Sequence, residues 1–321
     1  QLGITKEGKW LLFTGNTDEI LNGNWESNPL NRPAFLLPDT TVHGLLVKEA
    51  TGWNTVRLDA AIPVLHGKNG EDGTMQGLLQ LAGIPFVGCD ATSSAACMDK
   101  VITNVMLEHA GIPQARFTWL YAADFDRDPE GVTTAVEAEL GSYPLFVKPA
   151  NAGSSVGVSK ACNREDLMAG LRKAAKEDRK VLIEENIVGQ EVECAVLGNE
   201  NPIASCVGEI APSSEFYDYE GKYINGTSGL YIPAHISEET SQKLRALAIK
   251  AFRVMGCEGL ARVDFFVRKS DGEVLLNELN TLPGFTAISM YPKLMEYGGV
   301  PVSDLIDRLI RLALERAGEH E

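Results

Sequence analysis

The sequence lacks an apolar run long enough to cross a bilayer, and it starts without a secretory signal. Basic residues are also scarce, because 29 Lys and Arg stand against 44 Asp and Glu, for a formal net charge of −15. This balance argues against nucleic acid or an anionic membrane as a partner, although a local basic pocket can still bind phosphate. We therefore expect a cytoplasmic protein with no nucleic-acid and no membrane partner.

Paired cysteine motifs are absent as well. The six cysteines include no C-x-x-C pair, and most of them lie in apolar surroundings. This pattern excludes neither burial nor reactivity, but it argues against a zinc site and against a disulfide framework. Reduced thiols in or near a core are expected.

Residues 58–87 indicate an α/β unit near the N-terminus. A buried strand is predicted over 61–65, a glycine-rich loop over 66–73, a helix over 74–82 and a second strand over 84–87. This order predicts a parallel sheet with the loop at the carboxyl end of a strand, where α/β folds bind ligands. His66 begins that loop, and a structural and a functional role both stay open for it.

A Gly/Ser-rich loop over 150–160 follows a strand that ends in Lys148 and Pro149. It is neither a P-loop nor a dinucleotide-binding fingerprint, because both glycine patterns are missing. Its small residues would allow main-chain N–H groups to approach a phosphate closely. A flap over a nucleotide and an ordinary hairpin turn are both compatible with this composition.

Acidic residues end the next predicted strand, over 181–187, and begin another, over 189–197. Glu184 and Glu191 could accept hydrogen bonds from an adenine amine or from ribose hydroxyls, or they could be exposed edge residues. Further along, residues 215–229 combine three tyrosines and a lysine with glycines, a composition typical of a lid loop.

A hairpin near the C-terminus carries the clearest chemical pattern. Two predicted strands, over 263–268 and 274–280, flank a turn in which Gly272 suits a positive φ. A three-residue loop would pair Asp264 with Glu278 and would place Arg262 and Asn280 on the same face. Facing carboxylates repel each other unless a cation lies between them, and Mg²⁺ favours such oxygen donors. A solvated face with ordinary ion pairs is the alternative.

Taken together, the motifs resemble the D-alanine–D-alanine ligases of the ATP-grasp superfamily. The resemblance extends over the whole chain and depends on motifs that occur in the right order. These are Leu65-His66-Gly67 with Gly70-Glu71-Asp72-Gly73; Met98-Asp99-Lys100; Val147-Lys148-Pro149 with Gly153-Ser154-Ser155-Val156-Gly157; Tyr217-Asp218-Tyr219 with Lys222-Tyr223; Ala261-Arg262-Val263-Asp264; and Asn277-Glu278-Leu279-Asn280-Thr281 with Pro283-Gly284.

The resemblance implies an α/β, in parts α+β, three-domain ATP-grasp fold with a truncated, Rossmann-like N-terminal domain. The domains would span 1–90, 91–184 with the phosphate flap, and 185–321 with the lid and the metal site. It also implies the reaction: ATP phosphorylates the carboxylate of one D-alanine, and the amine of a second D-alanine attacks the acylphosphate. The dipeptide would serve peptidoglycan synthesis, and the protein would be a homodimer.

Site residues follow from the same resemblance. It assigns catalysis to Ser154, Lys222, Tyr223, Arg262 and Gly284. It assigns ATP binding to Lys100, Lys148, Ser154, Ser155, Glu184, Glu185, Ile187, Glu191 and Lys222. It assigns the binding of two D-alanines to His66, Glu71, Tyr217, Arg262, Gly284, Ser289 and Met290. It assigns two Mg²⁺ ions, or Mn²⁺ in their place, to Asp264, Glu278 and Asn280.

The sequence departs from the family pattern in two places. Family members begin with a strand and a loop whose glutamate binds the first D-alanine, and no such segment precedes Leu2. An inactive nucleotide-binding module is therefore a remote alternative. Relatives that use D-lactate or D-serine as the acceptor typically carry arginine where this chain has Met290. Met290 favours D-alanine, and a D-Ala–D-Ser ligase is the other enzymatic alternative, because apolar pockets reject an added hydroxyl only weakly.

Overall fold

The computed structural model describes residues 1–153, 155–211 and 229–318. Three β-sheets follow one another along the chain, and helices pack against each of them. None of the described helices is long and apolar enough to span a membrane. The domain boundaries predicted above remain a proposal, although the order of the sheets is the order of the predicted domains.

The first sheet contains five strands in sequence order, and all of its pairings are antiparallel. Helix α2 packs on it through Leu79, and Phe86 completes this core. The elements are β1 (Leu2–Ile4), β2 (Trp10–Leu12), α1 (Asp18–Leu21), a 3-10 helix (Asn24–Ser27), β3 (Arg32–Leu36), β4 (Gly44–Glu49), β5 (Gly52–Arg57) and α2 (Thr74–Leu81).

The parallel sheet expected from residues 58–87 is reduced to a single bridge. Ala61 pairs in parallel with Phe86, but Ile62 and Val64 are exposed and belong to no strand. Pro63 lies between them and has no N–H to continue a ladder. In the described part of the first unit, the predicted parallel pairing is therefore limited to this bridge, and a five-stranded antiparallel sheet forms the core with α2.

The second unit is a four-stranded antiparallel sheet in the order β6-β9-β7-β8. Helices α5, α6 and α7 bury one of its faces, and Val101 of α4 meets Leu182 on the other. The elements are α3 (Ala91–Met98), α4 (Lys100–His109), β6 (Phe117–Tyr121), α5 (Ala122–Arg127), α6 (Pro129–Leu140), β7 (Leu145–Pro149), β8 (Ser159–Ala161), α7 (Arg164–Glu177) and β9 (Lys180–Glu185).

The third unit is a five-stranded antiparallel sheet in the order β12-β11-β10-β13-β14. Helix α8 covers one face, and α9 and α10 cover part of the other. The rest of that second face carries charged side chains. The elements are β10 (Gly189–Gly198), β11 (Ile203–Ala211), β12 (Gly229–Tyr231), α8 (Glu238–Val254), β13 (Gly259–Arg268), β14 (Val274–Asn280), α9 (Met290–Tyr297) and α10 (Val302–Arg316).

Arg316, the last residue of α10, connects the third unit to the end of the first. Its guanidinium donates to the carbonyl oxygen of Phe86 at 2.6 Å and to that of Gly88, and it stacks 4.3 Å from the Phe86 ring centroid. Gly88 and Gly259 also lie so close that a Cβ on Gly259 would be 3.1 Å from the Gly88 nitrogen. The arginine and the close approach fix the position of the 86–88 segment.

Candidate active site

A cavity of about 330 Å³ lies where β7 and β9 of the second sheet face the charged side chains of the third. The loop that begins at His66 and the turn at residues 281–284 close its other sides. The predicted site residues that line it are His66, Glu71, Lys100, Lys148, Ser155, Glu184, Glu185, Ile187, Glu191, Arg262, Glu278, Asn280 and Gly284. One cavity therefore collects residues that lie more than two hundred positions apart in sequence.

The C-terminal hairpin has the predicted face-to-face pairs, but it reaches them through a bulge. Asp264 pairs with Glu278 and Arg262 with Asn280, as predicted. Nearer the turn, however, Phe265 pairs with Leu276, so Asn277 is an extra residue on β14. The turn register alone would place Asp264 opposite Asn277. The bulge restores Glu278 to that position and directs Leu276 and Leu279 together into the core on the other face.

Arg262 lies at the centre of the charged face. Its Nε and Nη2 donate to the two Asp264 carboxylate oxygens at 2.7 and 2.6 Å, and its Nε is 3.0 Å from Glu193 Oε2. Asn280 Nδ2 donates to Asp264 Oδ2 at 2.9 Å. Burial disfavours the charge of Arg262, but the attraction of Asp264 and Glu193 outweighs it and raises the pKa of Arg262 well above its ordinary value.

In the described part of the chain, no group of three or more His, Cys, Asp or Glu side chains is arranged as a metal site. The predicted set of Asp264, Glu278 and Asn280 is of a different kind, because it contains two carboxylates and an amide. Its chemistry fits a divalent cation, since Mg²⁺ binds through one or two carboxylates together with substrate phosphates. Carboxylates also outnumber Lys and Arg along the cavity wall: Glu71, Glu184, Glu185, Glu191 and Glu278 against Lys100, Lys148 and Arg262.

The start of α4 positions Lys100. Asp99 is the N-cap, accepts from the Val101 and Ile102 main-chain N–H groups at 3.1 and 3.2 Å, and pairs with Lys180. Lys100 Nζ donates to the carbonyl oxygen of Ala152 at 2.7 Å, in the Gly/Ser loop. Burial lowers the pKa of Lys100. A buried ammonium that contacts the Gly/Ser loop is suited to bind an anion.

Lys148 and Glu184 form a buried ion pair on neighbouring strands, with Nζ 2.5 Å from Oε2. Asn104 donates to the other oxygen of Glu184 at 3.1 Å. Burial opposes the charge on Lys148, but Glu184 outweighs it and raises the pKa of Lys148. Glu184 is only 7% exposed and lies on an inner strand, so the interpretation of it as an exposed edge residue is wrong.

Glu185 and the loop from β7 to β8 complete the side of the cavity that the second unit forms. Glu185 accepts from the Arg116 main-chain N–H at 2.9 Å and from Arg116 Nε at 3.2 Å. Strands β7 and β8 pair antiparallel, which confirms the strand-loop-strand arrangement. Ser155, in the loop, has a φ of 59° and lines the cavity. The flap interpretation and the ATP contacts of Glu185, Ile187, Glu191 and Ser155 stay predictions.

His66 and Glu71 belong to the loop of the first unit. Glu71 Oε2 accepts from the Gly67 main-chain N–H at 2.7 Å, and Oε1 lies 3.4 Å from His66 Nδ1. The bond to Glu71 raises the pKa of His66, while burial works against it. The Leu282 main chain also contributes to this shift. The predicted substrate residues of the first unit thus face the turn that follows β14.

Two of the predicted acceptor residues lie away from the cavity wall. Gly284 lines the cavity, whereas Ser289 and Met290 do not. Ser289 Oγ accepts from the Thr286 main-chain N–H at 3.0 Å, and Met290, the first residue of α9, is 5% exposed in the core between α9 and the third sheet. A Cβ on Gly208 would lie 2.8 Å from Met290 Sδ. The acceptor role of both residues remains a prediction.

Four predicted site residues lie outside the described residues: Ser154, Tyr217, Lys222 and Tyr223. Two residues that were not predicted belong to the site. Glu193 forms the ion pair with Arg262, and its position two residues after Glu191 on one strand was the available signal. Asn104 binds Glu184 from the middle of α4, and nothing in its local sequence marks it.

Comparison with known proteins identifies the family. A family model described as "D-ala D-ala ligase N-terminus" matches residues 1–89, and one described as "D-ala D-ala ligase C-terminus" matches residues 106–311. The chain belongs to the D-alanine–D-alanine ligase family. The family resemblance of the motifs is thereby confirmed, together with the ATP-grasp fold, the use of ATP and the need for a divalent metal that the family implies.

Individual family members cover nearly all of the chain. A D-alanine–D-alanine ligase from Acetivibrio thermocellus is 50% identical over 99% of this chain and 88% of its own length. One from Ruminiclostridium cellulolyticum is 49% identical over 98% of this chain and 86% of its own. Among solved structures, the VanG D-Ala:D-Ser ligase from Enterococcus faecalis has a TM-score of 0.88 and 40% identity, over 97% of this chain and 88% of its own.

Proposed function

We propose that this chain joins two D-alanines at the expense of ATP and produces D-Ala–D-Ala, ADP and phosphate for peptidoglycan precursors. The observation that carries this function is the near-full-length similarity to D-alanine–D-alanine ligases at about half identity. The cavity supports it, because the motif residues of all three units meet there.

The reaction has two bond-forming steps. A carboxylate oxygen of the first D-alanine takes the γ-phosphoryl group, and ADP leaves with the electrons of the broken P–O bond. The amine of the second D-alanine then attacks the carbonyl carbon of the acylphosphate, loses a proton and expels phosphate. Both steps develop negative charge on oxygen, so they need positioning and cationic partners more than covalent help from the protein.

The described residues provide such partners on two sides of the cavity. Lys100 and Lys148 would bind the phosphates of ATP, with Glu184 directed at the adenine amine and Glu191 at the ribose. Arg262 and the main chain at Gly284 would bind the carbonyl oxygen that becomes negative, and His66 with Glu71 would lie by the first D-alanine. The cation–carboxylate pairs already present hold these groups in place before substrate binds.

Asp264, Glu278 and Asn280 are the residues that we propose hold the divalent metal, as two Mg²⁺ ions or Mn²⁺ in their place. When bound, the metal supplies positive charge that neutralises the phosphate oxygens during transfer. The excess of carboxylates over Lys and Arg along the cavity wall supports this assignment.

The direct test incubates the protein with ATP, Mg²⁺ and D-alanine and follows ADP, phosphate and the dipeptide together. We expect the three products in equal amounts. Turnover of ATP without dipeptide would refute the ligase, and tight ATP binding without turnover would favour the inactive nucleotide-binding module. L-alanine in place of D-alanine is the matched control and should give no dipeptide.

A D-Ala–D-Ser ligase is the second candidate, and one observation favours it. The structure of the VanG D-Ala:D-Ser ligase is similar to that of this chain, with a TM-score of 0.88. The uncharged Met290 favours D-alanine instead. Equal concentrations of D-alanine and D-serine should decide between them, since the first candidate predicts mostly D-Ala–D-Ala and the second mostly D-Ala–D-Ser.

The family resemblance also supports a homodimer in the cytoplasm and domains over 1–90, 91–184 and 185–321. Sedimentation of the protein at micromolar concentration tests the first of these. A mass of twice 34.8 kDa is expected for the dimer. A single species at 34.8 kDa would leave the enzymatic proposal intact and would remove the dimer.

A further inference from the structure

Two carboxylates share the Arg262 guanidinium. Nε and Nη2 donate to both oxygens of Asp264, and the same Nε lies 3.0 Å from Glu193 Oε2. The arginine and both acids are largely buried, with side-chain exposures of 18%, 12% and 7%. Bidentate contact with a carboxylate is the arrangement that fixes a guanidinium most firmly. Here Glu193 adds a second negative charge beside the guanidinium from another strand, as an ion pair without a hydrogen bond at Oε2 to any described residue.

Glu193 owes its place to the register of the third sheet. It lies directly opposite Asp264 across the β10–β13 pair, and Asp264 lies opposite Glu278 across β13–β14. The carboxylates of Glu193, Asp264 and Glu278 therefore lie in one row across three neighbouring strands, where like charges repel each other. Arg262 reduces the repulsion at the Glu193 end of the row. Burial of the Glu193 carboxylate is costly without a cationic partner, and Arg262 lies beside it as such a partner.

Asp264 has competing roles in the proposed function. Its two oxygens accept two bonds from Arg262 and one from Asn280, while a metal would bind the same oxygens. A cation at Asp264 therefore weakens the hold of that carboxylate on the guanidinium. Glu193 also forms an ion pair with Arg262, and it is not one of the proposed metal ligands.

We propose that Glu193 is a positioning residue that holds the Arg262 guanidinium in place when Asp264 binds the divalent metal. This inference depends on the proposed function, because it assumes the metal set Asp264, Glu278 and Asn280. Of the two carboxylates Glu193 and Asp264, only Asp264 would remain beside Arg262 after the Glu193 charge is removed. The arginine and the metal would then compete for that carboxylate. Metal affinity and transition-state stabilisation should then fall together.

The test measures Mn²⁺ binding by electron paramagnetic resonance in the presence of a non-hydrolysable ATP analogue, and it requires no turnover. For Glu193→Gln we expect Mn²⁺ affinity to fall about tenfold, the lower end of the effect of losing an outer-shell partner. kcat should fall by a similar factor in separate assays with Mg²⁺. Glu193→Asp keeps the charge and should recover part of both losses.

Glu137→Gln is the matched control, since Glu137 also pairs with an arginine, Arg164, far from the cavity. It should leave Mn²⁺ affinity unchanged. Urea denaturation of all variants separates misfolding from the proposed role. Equal Mn²⁺ affinity in folded Glu193→Gln and in the unmodified protein would overturn the inference. Absence of Mn²⁺ binding to the unmodified protein with the analogue would instead overturn the proposed metal site.

Discussion

Lys148 Nζ and Glu184 Oε2 lie 2.5 Å apart on two neighbouring strands, and each side chain is less than a fifth exposed. The register makes them diagonal neighbours, because Glu184 pairs with Phe146, two residues before Lys148. Asn104 then fixes the second oxygen of Glu184. This ion pair links Lys148, a proposed phosphate ligand, to Glu184, a proposed adenine ligand.

Glu184→Gln should lower the free energy of unfolding by about 3 kcal/mol, because Lys148 would keep its charge in a buried place without this partner. Urea denaturation at neutral pH without nucleotide measures the loss. Glu137→Gln, whose pair with Arg164 is more exposed, should cost no more than about 1 kcal/mol. Equal losses in the two variants would contradict the prediction.

The same pair predicts how stability depends on pH at the alkaline end. The pKa of Lys148 is raised in the folded protein. Its contribution is therefore complete below the unfolded lysine pKa of about 10.4 and is lost as pH rises through the higher folded value. The unmodified protein should lose stability more steeply than Glu184→Gln above that pH. Parallel curves of urea midpoint against pH would count against the pair.

Glu278→Gln should reduce kcat about 100-fold, the scale for losing preorganised charge stabilisation. The amide keeps the shape of the side chain but removes the charge that faces Asp264 and the proposed metal. The measurement is steady-state dipeptide formation at saturating Mg²⁺. Glu273→Gln, in the exposed turn of the same hairpin, is the control and should keep its activity. A near-normal kcat for Glu278→Gln would refute the metal assignment.

Glu71→Gln should lower the pKa of His66, because the hydrogen bond to Glu71 is the main cause of its rise. Proton NMR of the imidazole resonances measures this, with His66→Gln identifying the signal. In the unmodified protein the pair stabilises the loop below the unfolded histidine pKa of about 6.5, and this contribution is lost as pH rises through the folded pKa. An unchanged His66 titration would show that the contact is absent in solution.

Arg316→Met should lower the free energy of unfolding by about 2 kcal/mol, since the carbonyl groups of Phe86 and Gly88 lose their donor. The methionine keeps most of the apolar contact with the Phe86 ring. Arg311→Met on the same helix is the control, because its pair with Asp307 is exposed, and it should change stability by less than about 0.5 kcal/mol. Urea denaturation of both variants provides the comparison.

The sequence predicted the pairs of Arg262 with Asn280 and of Asp264 with Glu278 because charged residues identify a face, but it did not predict the extra residue Asn277, which interrupts the alternation on β14. The sequence did not identify Glu193, although side-chain alternation places it on the same face as Glu191. The strand that lies beside Glu193 in the sheet was unknown from the sequence alone. The pairing of Glu193 with Asp264 is a long-range fact, set by which strands are adjacent. Local patterns do not carry that information.

Residues 61–65 show the opposite case, in which a local pattern predicted too much. Their apolar composition favours a buried strand, but Pro63 interrupts the ladder, and Ile62 and Val64 are exposed. The antiparallel pairing of the first sheet was also beyond local reasoning, because β1 to β5 are short and the choice of neighbouring strands is a long-range property. The helix predicted over 74–82 was recovered almost to the residue, as α2 is strongly periodic and glycines flank it.

The extra residue at Asn277 makes the C-terminal hairpin unequal in its tolerance of length changes. An insertion in the exposed turn at residues 269–273 would leave both strands in register beyond it. Deletion of Asn277 would remove only the bulge, because Glu278 would then follow Leu276 directly and would still face Asp264 in a regular ladder. Deletion of Leu279 would instead turn Asn280 from the charged face toward the core beneath α8, so the same loss of one residue has opposite consequences two positions apart.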